Sequence, residues 1–170
     1  MSTAPQLLPV ADPWAGRLSR AASLAAAVPL VAAPHGAKPG PRLVYVVEND
    51  RISSVVTELI VKKNLFGGGV QCYANGQQAF ADISLALQHS ATIPDLVILD
   101  LDMPLMDGWE FLDALANLAL PHPIQVFVLT SSIHSDDRAR ALSYEQVAGF
   151  FTKPLKEAGV ALMQRLLQAD

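Results

Sequence analysis

The 170-residue chain lacks most of what would staple a protein, embed it or bind it to a polyanion. It has one cysteine, Cys72, so no internal disulfide can form. No apolar run reaches the roughly 18 residues of a membrane-spanning helix. Aromatics are 6% of the chain and charged residues 16%, with 12 basic side chains against 16 acidic ones. The net charge of −4 and the absence of a basic stripe speak against a nucleic-acid surface. His35, His89, His122 and His134 share no metal-ligand spacing. These absences point to a cytoplasmic, reducing setting, with partners that are neither nucleic acid nor membrane. What is present is apolar content, 51% of the residues, enough for one domain with a sizeable core.

Residues 1–40 differ from the rest. Pro5, Pro9, Pro13, Pro29, Pro34 and Pro39 interrupt an Ala-rich stretch, which reads as a disordered leader rather than an export signal. From there residues 41–170 read as one folded domain. LVYVV (43–47) is an apolar run of the kind buried on both faces of a parallel sheet. Residues 51–64 follow with helical spacing, and Ile52, Val55, Val56 and Leu59 predict its inward stripe. VQCYA (70–74) predicts a second strand, with Cys72 as a small core residue. Helix is predicted over 77–88, strand over 95–100, helix over 108–120 up to Pro121, and strand over 124–130. Ser135 predicts the N-cap of a short fourth helix with Asp136 and Asp137 in its first turn. Strand over 147–152 and helix over 155–168 complete the alternation. Five strands alternating with five helices imply an α/β, doubly wound parallel sheet. In such sheets the site lies at the carboxyl ends of the strands.

Those ends carry a coherent set. Glu48, Asn49 and Asp50 follow strand one; Asp100 ends strand three, with Asp102 close behind. Thr130 ends strand four, and Lys153 with Pro154 follows strand five. An aspartate at one strand end is commonly a cap or turn residue. Such residues at four strand ends form a constellation. Crowded carboxylates attract a divalent cation, and oxygen donors without cysteine or spaced histidine favour Mg²⁺. A carboxylate beside Mg²⁺ can attack phosphorus and become an acyl phosphate. A lysine and a hydroxyl then stabilise the phosphoryl oxygens. Asp100, Glu48, Lys153 and Thr130 supply those parts.

PDLVILDLDMPLMDGWEFL (94–112) resembles the phosphoacceptor segment of response regulator receiver domains. VVENDRI (46–52), VFVLTSS (126–132) and GFFTKPL (149–155) resemble their acidic pair, switch hydroxyl and lysine–proline segments. The wording is similar to stand-alone receivers of the Bacteroidetes type, and the likeness covers about residues 42–170. The resemblance implies the flavodoxin-like (β/α)5 fold with strand order 2-1-3-4-5. It implies that Asp100 is phosphorylated by a sensor histidine kinase or a histidine phosphotransfer protein, and that a downstream protein target reads the result. Glu48, Asn49 and Asp100 fall at metal-ligand positions, as does the backbone carbonyl of Asp102. Thr130 falls at the switch hydroxyl, Phe150 at the switch aromatic, and Lys153–Pro154 at a cis peptide. Asn49 departs from the family, which usually has an acid there. Either Glu48 or Asp50 compensates, or metal binding is weaker.

Two other readings compete. ILDLDMP also resembles the D-x-D opening of haloacid-dehalogenase-type phosphatases, but in that family the nucleophile strand normally comes first. A non-phosphorylated interaction module on the same fold is the second, and Asn49 is its best argument. No further domain is expected after the last helix, so the chain is read as a single-domain signalling protein rather than an enzyme with turnover.

Overall fold

The computed structural model describes residues 43–64 and 68–169. The predicted leader, 1–40, lies outside the described residues. Among those described, strands and helices alternate strictly: β1 (Leu43–Val47), α1 (Arg51–Asn64), β2 (Gly69–Tyr73), α2 (Gly76–Gln88), β3 (Leu96–Leu99), α3 (Gly108–Ala116), β4 (Gln125–Thr130), α4 (Ser135–Leu142), β5 (Val147–Thr152) and α5 (Glu157–Ala169). The strands form one parallel sheet in the order β2-β1-β3-β4-β5, as the resemblance implies.

Apolar strands with side chains alternating between faces require cover on both sides. Tyr45, Val47, Val97, Leu99, Val126 and Val128 face one side, packed with Ala79 and Ile83 of α2, Phe111, Leu112 and Leu115 of α3, and Ala141 of α4. Val44, Leu96, Ile98, Phe127 and Leu129 face the other, packed with Val61 of α1 and Val160 and Met163 of α5. The β4–β5 register slips between Val126 and Phe127, which sets Phe150 opposite Val128 and Thr152 opposite Thr130.

Four local expectations need correction. The predicted inward stripe of α1 faces solvent: Ile52 is 76% exposed and Leu59 62%, while Thr57 and Val61 are buried. Thr57 and Val61 lie roughly 170° round the helix from that stripe, at about 100° per residue, and theirs is the face that meets the sheet. Cys72 is exposed, because β2 is an edge strand with a neighbour on one side only. Helix α3 ends at Ala116 rather than Leu120; the Asn117 N–H donates to carbonyls of the last turn, well before Pro121. Ser135 is the first residue of α4, and the N-cap position belongs to His134, whose side chain makes no capping bond.

Candidate functional site

Strands β1 and β3 deliver two carboxylates side by side. The Glu48 N–H donates to the Tyr73 carbonyl and the Asp100 N–H to the Val47 carbonyl, each at 2.9 Å. Each residue just past a strand is therefore still held by the neighbouring one. Both side chains are buried, Glu48 at 6% and Asp100 at 5% exposure. Gly108 lets α3 start against them. A Cβ there would lie 2.4 Å from the Asp100 carbonyl oxygen, so only glycine admits this approach. The turn before it is held by a capping box between Asp107 and Glu110.

Lys153 arrives from the end of β5 and bridges the two acids. Its Nζ lies 2.6 Å from Asp100 Oδ2 and 2.5 Å from Glu48 Oε2. The Lys153 N–H donates to the Thr130 carbonyl at 2.9 Å, and the Lys153–Pro154 peptide is cis. Burial by itself would lower the lysine pKa, but hydrogen bonds and charge from Asp100 and Glu48 outweigh it, so the ammonium is held above its ordinary value. Burial raises the Glu48 carboxyl above its usual range, against the hydrogen bonds from Lys153 and the Asp50 N–H. Asp100 Oδ1 accepts from the Leu101 N–H at 2.7 Å. The ammonium thus offsets the repulsion between two desolvated carboxylates.

Thr130 is fully buried, and its Oγ1 accepts from the Ser132 N–H at 3.2 Å. A hydroxyl that accepts still has its own proton to donate. Phe150 is half-buried against the core at the register of Val128, two residues before Thr130. Asp102 and Asn49 are exposed at the mouth. Asp50 does not serve as a free third acid. Its Oδ1 accepts from the Ser53 N–H at 2.7 Å, which caps α1 and holds this carboxyl below its ordinary value. Asn49 is therefore not the helix cap. His134 is exposed, in line with a solvated loop position, and Phe111 is fully buried as an anchor of α3.

Among the described residues no three His, Cys, Asp or Glu side chains converge as a metal cluster. What the site offers is the two buried carboxylates of Glu48 and Asp100, with the exposed Asn49 and Asp102 next to them along the chain. Hard oxygen donors in that number fit a cation that keeps several waters, as Mg²⁺ does, and not zinc.

In the sequence Asp137 reads only as a first-turn acid of α4, and its tie to Ser132 is not read there, although both lie within TSSIHSDD (130–137). The Ser132 hydroxyl donates to the Asp137 carboxylate while the Ser132 N–H serves Thr130. A serine two residues past a strand-end threonine and five before an aspartate was the available signal.

Known proteins resemble this chain in sequence and in fold. The probable methanogenesis regulatory protein FilR2 of Methanothrix harundinacea (strain 6Ac) is 29% identical over 115 residues, covering 68% of this chain and 74% of that one. A two component response regulator from Cytophaga hutchinsonii superposes with a TM-score of 0.64 at 23% identity, over 74% of this chain and 96% of that one. The receiver domain of sensor histidine kinase PA1611 from Pseudomonas aeruginosa PAO1, solved with a magnesium ion coordinated in its active site cleft, superposes with a TM-score of 0.61 at 19% identity, over 76% and 98%. The two structures share the fold. The family model for the response regulator receiver domain matches residues 44–166. With that match the haloacid-dehalogenase alternative is set aside, and the chain belongs to the response regulator receiver domain family.

Proposed function

We propose that the chain accepts a phosphoryl group on Asp100 from a phosphohistidine of a sensor histidine kinase or a histidine phosphotransfer protein. The observation that carries this reading is Lys153, bridging Asp100 and Glu48 at the ends of three strands with Thr130 beside it. An Asp100 carboxylate oxygen attacks phosphorus. The P–N bond to the donor imidazole breaks, and that nitrogen keeps the electron pair. The product is an acyl phosphate on Asp100. Glu48, Asp100, the Asp102 carbonyl and Asn49 would hold Mg²⁺, which would neutralise charge on the phosphoryl oxygens. Lys153 turns from the carboxylates to a phosphoryl oxygen, and Thr130 donates its hydroxyl proton to another.

The chain assists its own phosphorylation and dephosphorylation rather than turning over a substrate. Phosphorylation biases a two-state equilibrium in which Thr130 and Phe150 move together, and a downstream protein reads the face of α4, β5 and α5. We place this signalling in the cytoplasm, among protein partners rather than nucleic acid or membrane. Among the described residues no helix is long and apolar enough to cross a membrane.

Asn49 is the observation that favours the second reading, a non-phosphorylated interaction module. Acetyl phosphate with Mg²⁺, followed by intact mass, separates the two. One added phosphoryl group, lost in Asp100→Asn, supports phosphoacceptance. No labelling of the unaltered protein favours the interaction module, and equal labelling of both proteins moves the acceptor elsewhere.

A further inference from the structure

Helix α4 is bound to the domain unlike its neighbours. Of its eight residues, only Ala141 is buried. Polar ties supplement this small contact. The Arg140 guanidinium stacks over the Trp109 ring of α3, 4.1 Å from its centroid. Just past the helix, the Tyr144 hydroxyl donates to the Asp113 carboxylate of α3 at 2.6 Å. At the other end, the Ser132 hydroxyl donates to Asp137 in the first turn and accepts from the His134 N–H at 3.3 Å. Ser132 and Asp137 are half-buried, while Ile133, His134, Ser135 and Asp136 between them are exposed.

Ser132 therefore has two attachments. Its N–H is committed to Thr130 Oγ1 and its hydroxyl to Asp137 of α4. We propose that Ser132 is a positioning residue that latches the switch hydroxyl to α4, so that phosphorylation is read at the Arg140–Trp109 stack. The proposal rests on Asp100 as the phosphoacceptor and goes beyond it. When Thr130 turns its hydroxyl to a phosphoryl oxygen, the Ser132 N–H loses its acceptor. A half-buried N–H left without a partner is unfavourable, so the loop shifts to regain one. That shift draws the Ser132 hydroxyl off Asp137 and frees the first turn of α4. A helix with one buried residue has little apolar contact to oppose the movement. Arg140 moves with the helix, and its stacking on Trp109 changes.

The test uses the full chain with Trp14→Phe, which leaves Trp109 as its one tryptophan. Acetyl phosphate and Mg²⁺ are added, and three quantities are followed: intact mass, Trp109 emission, and hydrogen exchange across 135–142. The parent protein should gain one phosphoryl group, change its emission, and exchange α4 amides several-fold faster. Ser132→Ala keeps the N–H but loses the hydroxyl. It should label to the same extent, exchange α4 rapidly before labelling, and lose more than half of both phosphorylation-induced changes. Ser132→Thr restores a hydroxyl and should restore both changes. Ser132→Ala that labels fully and keeps the parent response overturns the latch and leaves the phosphoacceptor reading intact. Absence of any labelling overturns both, and the mass measurement tells the two failures apart.

Discussion

Helices α1 and α4 make opposite use of their residues. Helix α1 is rich in apolar side chains yet buries Thr57 and Val61, and turns Ile52, Val55, Val56 and Leu59 outward. Helix α4, Ser-Asp-Asp-Arg-Ala-Arg-Ala-Leu, has almost nothing apolar to bury and adds a serine–aspartate tie and an arginine–tryptophan stack. An apolar stripe therefore does not locate the core by itself, and a scarcity of apolar residues does not leave a helix unattached. The difference also bears on motion. Apolar burial resists displacement over its whole area, whereas a few polar ties can exchange partners at small net cost.

The sharpest way to break this contrast is to truncate α1 on both faces. Val61→Ala should cost about 2 kcal/mol, from lost burial plus the cavity it leaves. Val56→Ala, on the outward stripe, should stay within about 0.5 kcal/mol. Urea unfolding of both variants reads the difference, and equal costs would mean that the outward stripe is covered.

Helix α2 stands between the two extremes, with an apolar face and a polar tie beneath it. The hydroxyls of Tyr45 and Tyr73 both donate to Asp82 of α2. Burial, with Asp82 beside it, pushes the Tyr45 phenol up to about 12. Tyr45→Phe should cost about 1.5 kcal/mol, the scale of a hydrogen bond to a charged acceptor. The sign of the pH effect follows. The unfolded phenol loses its proton near 10, while the folded one keeps it to about 12. Stability from this group is therefore complete below pH 10 and is lost as pH rises between those values. Melting scans from pH 9 to pH 12 should show the parent falling more steeply than Tyr45→Phe.

Asn49, next to the α1 cap, should give a smaller effect. Asn49→Asp adds a third acid beside Glu48 and Asp100. Without metal, Tm should drop by a few degrees, on the scale of about 1 kcal/mol. With Mg²⁺ the variant should gain more stability than the parent, because a hard cation in a wet site depends on anionic ligands. Equal dissociation constants in a Mg²⁺ titration would show that Asn49 stands outside the coordination sphere.

Arg140→Ala should act more weakly still on the whole protein, at about 0.5–1 kcal/mol. Its effect should concentrate in faster hydrogen exchange over 135–142. Deleting residues 1–40 is expected to have the least effect, leaving Tm and phosphoryl labelling of the remaining domain unchanged. A large loss on truncation would show that the leader contributes to the core.

The strands and the strand-end residues were legible in the sequence because their constraints are local. A parallel strand covered on both faces must be a short apolar run, as LVYVV and DLVILD are. The role of Gly108 was not legible in this way, since only the packed structure shows α3 starting against Asp100 where no side chain fits. Alternation then placed Glu48, Asp100, Thr130 and Lys153 at one edge, because every parallel strand ends on the same side. The exposure of Cys72 and the inward face of α1 depend instead on neighbours far along the chain. Cys72 lies in a strand of ordinary pattern, and only its place at the sheet edge exposes it. Helix α1 has apolar residues on both sides, and only its packing on the sheet shows that Val61, among core residues of the strands and α5, lies on the buried one. The tie from Thr130 through Ser132 to Asp137 needs a loop folded so that one serine meets partners on both sides. Apolar periodicity and strand ends are properties of short segments, whereas the inward face of a helix and the partner of a loop hydroxyl exist only once the elements have packed.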